Sequence, residues 1–434
     1  MLPEEDLVRK LESALSGRLK GNLVKAGYYE GSVKPHWAGL TVPPALRGMA
    51  PRLGWAGVVV DALDERIGLL GWNDPSGALG LDLVFNSNCL DGESGLCHLD
   101  ALMFGVGFVT VGTALVGEPD PLVTVQSALG TTGLWDARSR RLSCALTLDP
   151  LVKGEPPTGT LYLPDETVWL EKFSGSWVET DRDRHGLGRV PVVMMANRTS
   201  ASRREGQSEI SAPVRDLVDE AARVLLSMAV NREFFSSPQR IVLGAAPDAI
   251  DKWKYLTTGL WTIEADGKGE TPTVTQFPAV SPGSHIEQLR TLAMQLAAAA
   301  GIPDAYLGVA TAANPASADA IRAAEVRLIK KAERRAQMFG AAWLEVARLA
   351  LLVRDGVVPE EFARVSCRWA DPATPTRAAK ADEAAKLVGA NVLPARSQVT
   401  LDRIGLTPAE QAQIEADWAA NPSAVELMAR SMAA

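Results

Sequence analysis

Histidine, cysteine and carboxylate side chains carry most acid–base and metal chemistry, so their spacing is the first thing to weigh. The 434 residues hold four histidines, His36, His98, His185 and His285, each isolated from the others. No HExxH helix and no GxSxG elbow occurs. The densest constellation is "DRDRH", Asp181–His185, which alternates charge after a strand-like run and reads as a solvated turn. "HLDAL" puts Asp100 two residues from His98 in a helical stretch, without a nucleophile or a metal partner beside it. "DGKGE" carries Lys268, but a phosphate-cradling GxxxxGK[ST] loop would need glycine where Thr262 stands and a hydroxyl where Gly269 stands. A hairpin turn is the better reading. Cys89, Cys97, Cys144 and Cys367 form no CxxC pair, which suits a reducing compartment. These residues point to no catalytic site, no metal and no cofactor.

Charge offers a second kind of chemistry. The net charge is −8, so the overall balance does not announce nucleic acid. One stretch departs from it: Arg322, Arg327, Lys330, Lys331, Arg334 and Arg335, against Glu325 and Glu333. Arg327, Lys331 and Arg334 recur at i, i+4 and i+7, one helical face. Such a face is either solvated or salt-bridged between subunits, or a sequence-independent contact with backbone phosphates. Just before it lies "AYLGVATAAN", Ala305–Asn314, uncharged and rich in small residues. Helix connections are usually shorter than this.

The elements that must hold these stretches follow from periodicity. Leu7, Leu11, Leu15 and Leu19 mark a helical face near the N-terminus. "WAGVVVDALDERIGLLGW" repeats Val59, Leu63 and Ile67 at helical spacing, and "LDLVFNSNCLDGESGLCHLDALMFG" reads as one further helix. From Gly105 the period changes. "GFVTVGTALV", "PLVTVQSAL", "RRLSCALTL", "GTLYLPDETVWLEKF" and "SWVETDRDR" predict an antiparallel β region over about 105–196. Helices return at "SAPVRDLVDEAARVLLSMAVNREFF", with Leu217, Ala221, Val224 and Met228 on one face. They return again at "SHIEQLRTLAMQLAAAA", with Ile286, Leu289, Ala293 and Leu296 on one face. A compact mixed piece, about 241–282, lies between these two. A long helix follows Asn314–Pro315, a cap and first-turn pair. "VSCRWADP" reads as a strand or extended connector, and the tail as short helices, one opened by the capping box "TPAE" at Thr407–Glu410. The acidic, amphipathic start "MLPEEDLVRKLESAL" is not a signal peptide, and no uninterrupted apolar run approaches the ~20 residues of a membrane helix. The expectation is a soluble intracellular product of two or more domains.

The order of these elements resembles the portal (connector) proteins of tailed bacteriophages, in the branch with long non-contractile tails. "YYEGSVKPHWAGLTVPPAL", "LDLVFNSNCLDGESGLCHLDALMFGVGFVTVG", "LGRVPVVMMANR" with "EGQSEI", and "GIPDAYLGVATAANPASADAIRAAEVRLIKKAERR" carry the resemblance, over about residues 15–360. It implies an α+β, portal-like fold: a mainly helical wing part (1–104), a β-rich wing region (105–210), stem helices (211–239 and 284–301) around a small α/β clip (240–283), a tunnel loop (302–316), a long wing helix with its connector (317–374) and a helical crown (375–434). It further implies a ring, a dodecamer in the virion, at one capsid vertex. That ring would conduct double-stranded DNA and dock the terminase large subunit and later a head-completion or adaptor protein. Major capsid and scaffolding proteins would be further partners, with no membrane. On this reading Leu307, Gly308, Val309, Ala310, Thr311, Ala312, Ala313 and Asn314 face the DNA, because an uncharged loop touches a moving duplex without gripping its phosphates. Arg322, Arg327, Lys330, Lys331, Arg334 and Arg335 would touch DNA or a neighbouring subunit, and Trp253, Tyr255 and Trp261 would serve the clip interface. The rival reading is a soluble α+β, hydrolase-like enzyme whose site carries no familiar motif.

Overall fold

The computed structural model describes residues 4–33, 51–235, 240–243, 273–276, 281–308, 318–373, 375–406 and 408–421. Two compact units divide the chain, Met1–Ala370 and Asp371–Ala434.

Helix α1 (Glu5–Tyr29) carries Glu5 and Asp6 in its first turn, where the helix end is positive. Its buried side chains serve two cores. Val8 and Leu11 pack with Leu146, Leu161, Val168, Leu170 and Trp177, whereas Tyr28 belongs to the larger core. The smaller core lies under a five-stranded antiparallel meander: β4 (Thr131–Asp136), β5 (Arg141–Leu148), β6 (Thr158–Tyr162), β7 (Thr167–Phe173) and β8 (Ser176–Asp183). Buried Val168 and Leu170 flank exposed Trp169 on β7, the alternation of a half-buried strand. β4 is a strand that its turn-like flanks hid from the sequence reading. "DRDRH" is not a turn throughout, because Asp181–Asp183 complete β8. There Arg182 gathers Glu4 (3.2 Å), Glu179 (2.8 Å) and Glu166.

The larger core surrounds a three-stranded sheet of order β3-β2-β9, from β2 (Val106–Gly112), β3 (Leu122–Gln126) and β9 (Val192–Ala196). The stretch expected to form one helix before it is two, α3 (Leu81–Ser87) and α4 (Leu90–Phe104). The break is at Asn88, whose amide donates to the Val84 and Pro121 carbonyls (3.0 Å each) and accepts from Val123 N (2.8 Å). The helix stops there, and Cys89 turns left-handed (φ 50°), a conformation an α-helix does not contain.

Helix α2 (Trp55–Asp64) also ends earlier than its periodicity suggests. Ile67 is buried in the turn that follows, and Leu69–Asn73 form β1. β1 pairs antiparallel with β12 (Ser366–Trp369), so "VSCRWADP" is a strand with a partner almost 300 residues away. α4 and the long helix α7 (Ala318–Asp355) both pack on β2. The C-terminal half of α7 supplies Phe339, Trp343, Val346, Ala347 and Leu351 to the core, each fully buried. By length and composition Ala323–Asp355 could cross a membrane, but half of its most apolar window is buried inside the subunit, as for a core helix.

His98 lies in this core, stacked on Phe339 at 5.2 Å and edge-on to Trp343. Trp72 of β1 donates to the Trp343 carbonyl (3.1 Å) and joins the small sheet to the same seam.

Helices α5 (Ala212–Phe235) and α6 (Gly283–Ala300) pack against each other. Ala293 and Leu296 are buried as their spacing predicts, while Ile286 on the same face is 42% exposed. Between these helices, β10 (Arg240–Leu243) pairs with β11 (Thr273–Gln276). Trp253, Tyr255 and Trp261 lie outside the described residues.

The second unit holds α8 (Arg377–Gly389), α9 (Gln398–Ile404) and α10 (Pro408–Ala420). Thr376 and Ser397 cap the first two through their hydroxyls. Thr407 of the expected capping box lies outside the described residues. Gln411 ties α10 to Asp402 and to the Leu406 carbonyl (2.8 Å each).

Candidate functional site

The uncharged stretch after α6 begins from a tightly built foot. α6 ends in alanines, and Gly301 turns left-handed (φ 70°) while its N–H returns to the Ala297 carbonyl (2.7 Å). The left-handed backbone favours glycine, and a Cβ at Gly301 would sit 2.9 Å from Arg327 Nε and displace that side chain. Ile302 and Leu307 are buried on either side of a 3₁₀ turn, Asp304–Leu307. Gly308 closes the foot, again left-handed. Of the expected DNA-facing residues, only Leu307 and Gly308 fall among the described residues; Val309, Ala310, Thr311, Ala312, Ala313 and Asn314 lie outside them. Leu307 is 6% exposed and therefore anchors the foot within its own subunit.

The basic stretch of α7 forms the other foot, and its charges split into two groups. Arg327 donates to the Ala298 carbonyl (2.9 Å), and Lys331 to the Ala300 carbonyl (2.6 Å). Two cations thus satisfy the last carbonyls of α6, the negative end of that helix. Lys331 also reaches Glu209 Oε2 (3.2 Å), and Arg335 donates to Glu209 Oε1 (2.9 Å). Asn197 Nδ2 donates to the same oxygen (3.1 Å). Glu209 is 4% exposed. Burial alone would raise its pKa, but Lys331, Arg335 and Asn197 outweigh it and hold the carboxyl below its usual range. Lys331 and Arg335 therefore spend their charge inside the subunit. Arg327, Lys330 and Arg334 remain exposed on the surface of α7. Arg322 lies in the first turns of α7.

A second clasp joins both feet. Arg66 donates to the Tyr306 hydroxyl (2.8 Å), which donates to Glu325 Oε1 (2.8 Å), and Arg66 lies 3.0 Å from that carboxylate. Burial and the bond to Glu325 push the Tyr306 phenol up. Arg66, Glu209 and Tyr306 escaped the sequence reading, because their partners stand from 12 to 240 residues away.

The arrangement fixes the residues on either side of the uncharged stretch and presents cations, and among the described residues it brings no nucleophile to a base. Among the described residues no three His, Cys, Asp or Glu side chains converge as metal ligands. His98 is buried in the core, and His185 accepts through Nδ1 from the Leu187 N–H (3.3 Å).

The family model for phage portal proteins of the SPP1 Gp6-like kind matches residues 77–417. The chain is 37% identical over 373 residues to the portal protein of Mycobacterium phage D29, covering 81% of this chain and 76% of that one. To the portal protein of Mycobacterium phage L5 it is 35% identical over 401 residues, covering 87% and 79%. Among solved structures, a chain from the virion of a native gene transfer agent particle aligns at 16% identity with a TM-score of 0.49, over 90% of this chain and 99% of that one.

Proposed function

The chain belongs to the SPP1 Gp6-like family of phage portal proteins, and on that premise we propose that twelve copies close into a ring at one vertex of a phage capsid. The ring conducts double-stranded DNA during packaging and ejection. It docks the terminase large subunit first and a head-completion or adaptor protein later, and it meets the major capsid and scaffolding proteins. The chain acts as structure and needs no cofactor, in line with a family that is structural in character. The observation that carries this reading is a family match over 77–417 together with 37% identity to a portal protein.

On the same reading α5 and α6 form the stem (211–239 and 284–301), and 240–283 the clip with Trp253, Tyr255 and Trp261 at its interfaces. Residues 302–316 are the tunnel loop, 317–374 the long wing helix and its connector, and 375–434 the crown. The two clasps support the tunnel assignment. Arg66–Tyr306–Glu325 and Glu209–Lys331–Arg335 hold both feet firmly, while Val309–Asn314 carries no charge to grip a passing phosphate. Arg327, Lys330 and Arg334 keep exposed charge for DNA or for a neighbouring subunit.

Negative-stain imaging of the purified chain, alone and co-expressed with scaffold, tests the ring. Labelled chain should then appear at a single capsid vertex. Its absence from that vertex would refute the proposal, and a monomer or dimer that persists with scaffold would favour a different class of protein.

A further inference from the structure

Cations also crowd at a second place, away from α7. After β9 the chain leaves at Asn197 and returns at Gln207. Asn197 N donates to the Gly105 carbonyl (2.9 Å), and Gln207 N to the Asn197 carbonyl (2.7 Å). At the neck, Gly206 lies so close that a Cβ there would be 2.1 Å from the Gly105 oxygen, and only glycine fits. Ser208 Oγ donates to the Met103 carbonyl (2.5 Å). The excursion 198–206 is therefore pinned to the end of α4. Inside it Ser200 and Arg203 exchange backbone hydrogen bonds (2.9 and 3.2 Å). Its sequence, "RTSASRREG", carries Arg198, Arg203 and Arg204 against the single acid Glu205.

Helix α1 runs beside this excursion. Arg18 pairs with Glu205 (2.8 Å). Seven residues on, on the same helical face, Lys25 donates to the Phe104 carbonyl (2.9 Å) and to Asn22 Oδ1 (3.1 Å). Phe104 directly precedes Gly105, on which the neck rests. Arg215 adds a cation in the first turn of α5, which carries no acid there. Burial pushes the Lys25 ammonium down, and Arg215, Arg203 and Arg18 push it further. Of the anions nearby, Glu205 faces Arg18, whereas Asp219, which accepts from the Tyr28 hydroxyl (2.9 Å), and Asp216 stand on the same helix as Arg215 and offset part of its charge. Among the described residues no carboxylate pairs with Arg203, Arg204 or Arg215.

We propose that Arg203 and Arg215, beside the part-buried Lys25, form a cradle for the phosphate backbone of double-stranded DNA, a second contact besides the exposed cations of α7. Like charges are assembled here from three elements against mutual repulsion, in a chain whose net charge is −8. A polyanion relieves that repulsion. The excursion itself carries the Thr199 hydroxyl and the mutually bonded Ser200 and Ser202 hydroxyls (3.2 Å), and no large apolar side chain, although Leu23 of α1, near Lys25 in sequence, is exposed. Hydroxyls and arginines are phosphate-contact chemistry, whereas a protein interface centres on an apolar or aromatic anchor. The contact is blind to base sequence. The proposal rests on the portal reading only in that the portal reading brings DNA to this chain.

The test is duplex DNA of arbitrary sequence, titrated against the full chain at several salt concentrations. Arg203→Gln with Arg215→Gln should weaken binding roughly tenfold at low salt and lower the log–log salt slope by about two. Arg203→Lys with Arg215→Lys should restore both, which separates charge from folding. Arg184→Gln, an exposed cation elsewhere, should change neither. An unaltered slope in the glutamine pair overturns the cradle, as does a wild-type chain that binds no duplex at low salt. Polyglutamate binding lost in the same pair, with duplex binding intact, overturns it in favour of an acidic protein partner. Ring formation is scored separately: a ring with an unchanged salt slope sinks the cradle alone, and a chain that never forms a ring sinks the portal reading alone.

Discussion

The indole Nε1 of Trp343 donates to Nε2 of His98 over 2.9 Å, in the fully buried seam between α7 and α4. Indole is a donor only, so Nε2 must be unprotonated and the ring neutral. Nδ1 then holds the proton near the Ile67 backbone, without a bond of good geometry. Burial pushes the His98 pKa down to about 4. The unfolded chain takes up this proton near 6.5, before the folded one does. Stability from this group is therefore fully present above about pH 6.5, declines as the pH falls toward 4, and is flat below; the whole span is worth about 3 kcal/mol. Urea unfolding at pH 7 and pH 4.5 should show this loss in the wild type and a smaller one in His98→Gln, whose amide oxygen can still accept from Trp343. Equal losses in the two proteins would show that His98 is not the group responsible.

Glu209→Ala would leave Arg335 and Lys331 facing no counter-charge at a site where the Arg335 side chain is 7% exposed. Breaking one side of a buried ion pair costs about 3–5 kcal/mol. The urea midpoint should drop accordingly, and Glu209→Gln, which keeps an acceptor, should lose less. A midpoint that does not move in Glu209→Ala would mean the clasp contributes nothing to stability.

If 302–316 is the tunnel loop proposed above, lysine at Val309 and Thr311 should leave the unfolding midpoint nearly unchanged, because loop positions tolerate substitution. Each subunit would then add two cations toward the phosphates, and a weak contact repeated around a ring becomes a large one. Packaged DNA length should fall at low salt and partly recover at higher salt. Normal packaging at low salt would show that the 302–316 loop does not face DNA.

Trp253→Ala, Tyr255→Ala and Trp261→Ala should keep the isolated chain soluble and impair ring assembly or motor docking, since aromatics dominate interface energetics. Loss of folding in the isolated chain would make them core residues of the 240–283 piece instead.

Part of this architecture was legible because it is local. Leu11 and Leu15 of α1, or Val168 and Leu170 of β7, show their buried faces in a few contiguous residues. The period of 3.6 or 2 is a property of the segment itself. Other features misled for the opposite reason. Continuous helical patterning ran through Asn88, but its amide is claimed by Val84, Pro121 and Val123. Ile67 kept the helical spacing of α2 although the helix had ended at Asp64, since a turn residue is buried just as readily when a core lies beneath it.

The basic stretch shows the division most clearly. By itself the sequence determined that Arg322–Arg335 would be helical, cationic and preceded by an uncharged stretch, because propensity, charge and spacing are written in adjacent residues. It did not determine which of those cations face outward. Only the tertiary structure brings Glu209 and the Ala298 and Ala300 carbonyls against that helix, turning Lys331 and Arg335 inward and leaving Lys330 and Arg334 exposed. The same holds for the cradle: "RTSASRR" is an ordinary polar loop until Gly206 pins it to Gly105 beside Lys25. A charge acts through distance, and the distances between residues 25, 203 and 215 exist only once α1, the excursion and α5 have packed around a shared core.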